Sequence, residues 1–394
     1  MAITDKEKGV WGLDQVYNKI NQGSIWEYNG EQQLFMAGQN TTGVLGQNST
    51  TTQYSSPVQI YGGGSTWSEI ITPNNGSRAL ALKTDGTIWT WGADAEGNLG
   101  LNDQIPRSSP IQIGAGTDWT AIAAGTNSSM AVKSDNTLWM WGYNNYGQLA
   151  NIQHTAYKAR SSPIQVPGEW SENITSTASR TGAVKTDGSL WMWGQNYGGV
   201  LGQNRSFTPN YKGYSSPVQV GSDTTWSTSK GRLNMSVAAL AVKTDGTLWG
   251  WGQNANGQLG LNSKTEYSSP VQVGSDTTWG WVMTFGGSSA AVKTDGTFWS
   301  WGYNNLGMLG HNNQTEYSSP KQVGSGTDWS KTWQNETTAC GLKTDGTAWM
   351  WGRNSQRGQQ GHNNLTDYSS PKQVPGKYIW LDINNYNAGF IKEL

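Results

Sequence analysis

The sequence predicts an all-β fold: a seven-bladed β-propeller, closed by one blade that its N- and C-terminal strands share, with a short N-terminal helical arm. Three observations predict it. The phrase Lys243-Thr-Asp-Gly-Thr-Leu-Trp-Gly-Trp-Gly252 recurs, little changed, from Lys83, Lys133, Lys185, Lys293 and Lys343, at steps of 50, 52, 58, 50 and 50 residues. Steady periods of this size mark a propeller or a stacked array. Ser-Ser-Pro occurs seven times, at Pro57, Pro110, Pro163, Pro217, Pro270, Pro320 and Pro371. Finally, the chain carries half a repeat near each end, as a ring without a free sheet edge requires.

Each copy of the phrase reads as a hairpin. Asp-Gly, or Asp135-Asn136 in the second copy, supplies the positive φ angles of a type I′ turn, whose twist suits the flanking strands. Beyond the turn, Trp249 and Trp251 share one face of an extended strand. The repeat accounts for most of the 23 tryptophans: twelve form Trp-x-Trp-Gly pairs, and Trp67, Trp119, Trp170, Trp226, Trp279, Trp329 and Trp380 each follow a Ser-Pro strand. Only Trp11, Trp26, Trp281 and Trp333 fall outside these sets. A buried Trp removes roughly 150–250 Å² from water, which at about 25 cal/mol per Å² is several kcal/mol before entropy is subtracted. Packing between blades is the expected use.

Taken in order, residues 1–30 form an arm and 31–394 the propeller. Within the arm Leu13, Val16, Tyr17 and Ile20 fall at i, i+3, i+4 and i+7, one apolar helical face, with Trp11 and Trp26 beside it. These six residues are candidates for binding a partner protein; folding back on the ring as a cap is the alternative. Leu34–Gly46 matches only the second half of a repeat, and Trp380–Lys392 only the first. In every repeat a Gly-rich loop, a polar segment, an edge strand opened by proline, a Trp-led strand and an Ala-Val-Lys strand complete four strands. Two insertions, Asn151–Arg160 and Asn204–Tyr214, lengthen the same connection in adjacent blades. Their Tyr157, Arg160, Arg205, Phe207 and Tyr211 are candidates for an interface, aromatic and Arg residues being common there; neutral length variation is the alternative.

Composition excludes several function classes. Charged residues make up 13% of the chain and the net charge is −1, with no extended basic face, so binding to nucleic acid is not expected. No apolar run reaches the roughly 18 residues that span a bilayer, so no membrane insertion is expected. Cys340 stands where other repeats carry Ala290 and Leu240 and reads as a packed small hydrophobe. Six repeat aspartates, Asp85, Asp135, Asp187, Asp245, Asp295 and Asp345, belong to turns. His311 and His362 occupy matching positions a blade apart and cannot converge on one ion. No catalytic, metal or cofactor site is expected, and the chain reads as a non-enzyme.

The phrase Trp-x-Trp-Gly-x-Asn-x-x-Gly-Gln-Leu-Gly, at seven repeats of about 50 residues, resembles the regulator of chromosome condensation repeat family over roughly residues 31–394. That resemblance implies a seven-bladed propeller and a scaffold of many functions. The segment Gly9-Val-Trp-Gly-Leu-Asp-Gln-Val-Tyr17 is similar to an N-terminal module of tailed-bacteriophage structural proteins. Together they imply a virion-associated structural or adhesion protein, assembled in the host cytoplasm. Its arm would hold other virion proteins, and its disc would face a host surface protein or glycan. A regulatory protein–protein interaction propeller, inhibitor-like or exchange-factor-like, is the alternative.

Overall fold

Seven antiparallel four-stranded sheets make up the computed structural model, which describes residues 32–50, 53–62, 64–73, 75–150, 159–205, 213–354 and 360–392. The first blade runs outward through Trp67–Ile71, Arg78–Lys83, Ile88–Gly92 and Arg107–Gln112. Five further blades repeat that order, with inner strands Trp119–Ala124, Trp170–Ser176, Leu233–Met235, Trp279–Phe285 and Trp329–Gln334. The seventh is composite. Trp380–Ile383 and Asn387–Lys392 supply its inner strands, Gln33–Gly38 and Tyr54–Gln59 its outer ones. Gln33 pairs with Lys392 and Gly38 with Asn387, so the predicted closure is observed strand by strand. The one helical turn among the described residues is Tyr197–Gly199. The predicted arm, with Trp11, Leu13, Val16, Tyr17, Ile20 and Trp26, lies outside the described residues.

The hairpin turn differs from the prediction. Gly86 donates to Lys83 O at 3.0 Å and Lys83 donates to Thr87 O at 3.0 Å, which closes a three-residue loop. Only its last residue has positive φ, Gly86 at +76° or Asn136 at +64°. This is a type I turn followed by a bulge rather than a type I′ turn. The reason lies in the aspartate, whose negative φ leaves its carboxylate free to cap the turn. Asp85 Oδ1 accepts from the Thr87 N–H at 3.0 Å and from the Thr87 hydroxyl at 2.6 Å. Trp89 Nε1 then donates to Thr87 Oγ1. The same Trp-to-Thr (or Ser) bond recurs in six repeats at 2.8–3.1 Å. Thr87 chiefly holds the Asp85 carboxyl below its ordinary range, as Thr247 does for Asp245. These aspartates are structural.

The lysine that opens each phrase lies between two indoles. Lys83 sits over Trp67 and Trp89, and Lys243 over Trp226 and Trp249; across six repeats the ammonium is 4.1–5.4 Å from the ring centroids. Each such contact contributes about 0.5–2 kcal/mol, more as water is excluded.

The second Trp of each pair joins blades, as burial predicts. Trp91, Trp141, Trp193, Trp251, Trp301 and Trp351 are fully buried. Each donates its indole N–H to a carbonyl in the Gly-rich loop of the preceding blade, at 2.6–3.1 Å. An asparagine shapes that loop: Asn254 Oδ1 accepts from Leu259 N at 2.9 Å, and Asn304 Oδ1 from Leu309 N at 3.0 Å. Gly257, at φ +80°, faces the first serine of the next Ser-Ser-Pro; a Cβ there would lie 2.6 Å from Ser318 Cα. Small residues on both sides of the seam are therefore a packing requirement.

Two further seam residues carried no repeat signal. Arg78 is wholly buried and donates to Ser129 Oγ, Gly125 O and Ser128 O in the next blade, each at 2.8 Å. Desolvation pulls its pKa down to about 9, with Asp94 opposing. Arg180 reaches Ser236 O in its neighbour at 3.0 Å. Cys340 is fully buried, and burial pushes its thiol pKa well up, consistent with a packing role.

Candidate functional site

The inner strands surround a channel in which the sevenfold regularity breaks. Strand register places Glu69, Ala121, Trp281, Lys331 and Trp380 at one level, opposite Leu82, Val132, Val292, Leu342 and Ile391. Two residues deeper come Ile71, Ala123, Asn234, Met283, Trp333 and Asp382. The cavity between these walls is about 150 Å³. Blades five to seven line it with Trp281, Met283, Trp333 and Trp380, while blades three and four line it with Thr175, Ser176 and Asn234. The aromatic surface is confined to blades five to seven, while the facing blades mix these polar groups with Ile174, Leu233 and Met235.

Trp281, Trp333 and Trp380 form a triangle, with ring centroids 5.6, 5.4 and 6.0 Å apart in tilted and edge-to-face arrangements. Trp281 Nε1 donates to Thr332 O at 2.8 Å and Trp380 Nε1 to Ile70 O at 2.9 Å, which ties blade five to blade six and blade seven to blade one. The position of Trp380 corrects the sequence reading. Tyr378 donates its N–H to Gly346 O at 2.7 Å, as Trp279 does to Gly246 O at 3.1 Å, so Tyr378 takes the repeat-Trp position. The outer strand of blade six runs on to Lys377 and absorbs the turn, which moves Trp380 two residues inward into the channel.

Charge gathers beside the triangle. Lys230 and Glu69 form an ion pair. Lys230 lies 5.2 Å from the Trp380 ring, and Lys331 lies 4.3 Å from Trp380 and 5.6 Å from Trp281. Among the described residues no acceptor lies within hydrogen-bond distance of the Lys331 ammonium. Burial lowers the Lys331 pKa, with Glu69 opposing and Lys230 reinforcing that shift. Two ammonium groups thus face one carboxylate over a single indole. Deeper, Asp382 accepts from both the N–H and the hydroxyl of Thr72, the latter at 2.8 Å. Desolvation raises its pKa to about 7 against those hydrogen bonds.

Of the predicted loop residues, Arg160 opens the outer strand of blade two, half-buried, and Arg205 is exposed just beyond blade three's Gly-rich loop. Both connections join the third strand to the fourth in their blades. Tyr157, Phe207 and Tyr211 lie outside the described residues. His311 and His362 each pack edge-on against a tyrosine, Tyr317 and Tyr368, and burial brings the His311 pKa down to about 4. Among the described residues no three His, Cys, Asp or Glu side chains cluster as metal ligands.

A regular feature also lies on the outer seams. Two clefts of about 420 and 370 Å³ have equivalent linings: Asn102, Gly116, Trp119 and Lys133 in one, Asn312, Gly326, Trp329 and Lys343 in the other. In blades four and five Asp223 and Asp276 stand in place of these glycines and pair with Lys243 and Lys293. In the cleft blades Asp118 and Asp328 supply that charge from two residues further on.

Family models describe these units. The Regulator of chromosome condensation (RCC1) repeat matches residues 85–132, 245–291 and 295–331, and a second model of that repeat matches 119–148. The matched stretches are RCC1 repeats, set in an RCC1-like seven-bladed propeller. The ultraviolet-B receptor UVR8 of Arabidopsis thaliana is 26% identical over 203 residues, 48% of this chain and 42% of the receptor. The E3 ubiquitin-protein ligase HERC2 of Homo sapiens is 26% identical over 213 residues, 51% of this chain and 4% of the ligase. The RCC1-repeat chain thus aligns with less than half the length of each of these curated relatives. Among solved structures, Prp20p from Saccharomyces cerevisiae superposes with a TM-score of 0.79 at 17% identity, covering 93% of this chain and 92% of its own. Human WBSCR16 follows at 0.78 and 18%, covering 92% and 99%. These likenesses agree with the seven-bladed ring.

Proposed function

We propose that this RCC1-type ring is a non-enzymatic, regulatory protein-interaction module that docks an acidic partner surface on the channel mouth carrying Lys230, Trp281 and Lys331. The observation that carries this reading is where the chain departs from its own repeat. The repeat's tryptophans, asparagines and aspartates are spent on seams and turns. Trp281, Lys230 and Lys331 are outside that pattern, partly exposed, and gathered around one end of the channel. Partly exposed aromatic side chains such as Trp281 are enriched at energetic interface centres, and the two ammonium groups beside it fit an acidic surface. Prp20p, on the same fold, is described by its binding properties to Gsp1p and histones, a precedent for a protein partner. A virion-associated role, with residues 1–30 held by other virion proteins, draws no support from these relatives and is set aside.

The test compares proteins captured from native lysate by the full chain and by a Lys230→Ser/Lys331→Ser variant, with crosslinking to locate the contact. The expected result is an acidic partner crosslinked at the mouth and lost with the variant. Equal capture by both proteins, or crosslinks confined to the outer rim, would overturn the reading.

A further inference from the structure

We infer that the channel is also a small-molecule site, and that it takes a planar apolar group carrying a carboxylate, an aromatic monocarboxylic acid. The cavity sets the size. About 150 Å³ is the cavity volume that holds one benzene ring in a protein interior, so a single ring fits inside with its short acidic tail toward the lysine end, and a fused polycycle does not fit. The wall sets the shape. Trp281, Met283, Trp333 and Trp380 offer indole faces and edges and a thioether, surfaces that favour an aromatic ring in offset or edge-on contact.

Charge sets the tail. Lys230 lines the cavity and Lys331 stands over the same Trp380 ring, and Glu69 balances only one of them. A ligand carboxylate at this end completes the balance and gives Lys331 the acceptor it lacks, a charge-assisted hydrogen bond in a largely desolvated setting. Across the cavity Thr175, Ser176 and Asn234 stand among Ile174, Leu233 and Met235, so the aromatic contacts come from the Trp281, Trp333 and Trp380 side. An amine in place of the acid would meet two like charges. The site does not depend on the protein-docking reading, because it needs no partner.

Isothermal titration of the purified full chain with phenylacetate tests the inference, with phenylacetamide as the uncharged isostere and acetate as the tail alone. Phenylacetate is expected to bind one per chain, at least tenfold more tightly than phenylacetamide, with no heat from acetate. Lys331→Met removes a partly exposed ammonium and keeps an unbranched side chain of similar length, so its melting temperature should stay close to that of the parent. In that variant phenylacetate should fall to the affinity of the amide. Saturation-transfer NMR on the same samples reads ring contact directly and covers weak binding. No binding of phenylacetate at millimolar concentration overturns the proposal, as does equal binding of acid and amide. Unchanged affinity in a folded Lys331→Met protein overturns the role given to that lysine and the proposal with it.

Discussion

Replacing Asp382 with asparagine should remove a specific pH dependence from the stability of the ring. In the folded protein the carboxyl is fully desolvated and its pKa lies near 7, against an ordinary value of 3.8. Below pH 4 both the folded and unfolded chains carry a neutral acid there. Between about 4 and 7 the unfolded chain releases its proton and the folded chain keeps it, so stability falls as pH rises. The slope approaches about 1.4 kcal/mol per pH unit, and the whole window is worth about 4 kcal/mol. His311 acts in the opposite sense. Its folded pKa of about 4 lies below the ordinary 6.5, so its contribution is complete above 6.5 and is lost as pH falls. Urea melts of wild type and Asp382→Asn, taken from pH 4 to 8, cancel the histidine in the difference. With its amide oxygen in the place of Asp382 Oδ2, asparagine can still accept from both the Thr72 N–H and the Thr72 hydroxyl, so the geometry is kept. The variant should gain on the wild type by up to about 4 kcal/mol at pH 8 relative to pH 4, with the change concentrated between those limits. A flat difference curve would refute the buried, protonated carboxyl.

Other perturbations address the seams and the closure. Trp251→Phe keeps the ring packing but leaves Val200 O without its donor, and should cost about 1–3 kcal/mol in urea denaturation. Gly257→Ala forces a Cβ against the Ser318 backbone at positive φ and should cost about 2 kcal/mol or more, read as a lower melting temperature. Truncation before Trp380 removes both inner strands of the seventh blade and exposes the paired edge of Gln33–Gly38; size-exclusion chromatography should show aggregates in place of a monodisperse ring. His311→Gln should flatten the loss of stability between pH 6.5 and 4, seen in the same urea series.

The frame of the ring was legible because its determinants are local and repeated. Asp-Gly turns, Trp-x-Trp-Gly strands and Ser-Ser-Pro edges recur at a steady period, and the seven Ser-Ser-Pro copies fixed the count. The turn type was misread because Asp-Gly serves two loops, and only the Thr two residues on, donating to the aspartate, selects the longer one. The site was harder to see. Trp281 and Trp333 looked like strays, although lying outside a strict repeat was their signal. Trp380 was grouped with the repeat tryptophans because it follows a Ser-Ser-Pro strand, as they do. The better analogue was Val166-Pro-Gly-Glu-Trp170, which matches Val374-Pro-Gly-Lys-Tyr378 and places tyrosine at the repeat position. Nothing local announced Arg78 or Arg180, since their acceptors are backbone carbonyls of another blade.

The composite blade also governs how the ring can come into being. Its sheet joins Gln33–Gly38 to Asn387–Lys392, the first and last strands of the ring, so this pairing has the longest sequence separation among the described strands. During synthesis the earliest hairpin waits, unmatched, until the last strands leave the ribosome. Six wedges assembled before that moment form an open arc. Ring formation is then one late, cooperative step, and a nascent chain stalled short of Asn387 remains a candidate for clasping a neighbour in its place.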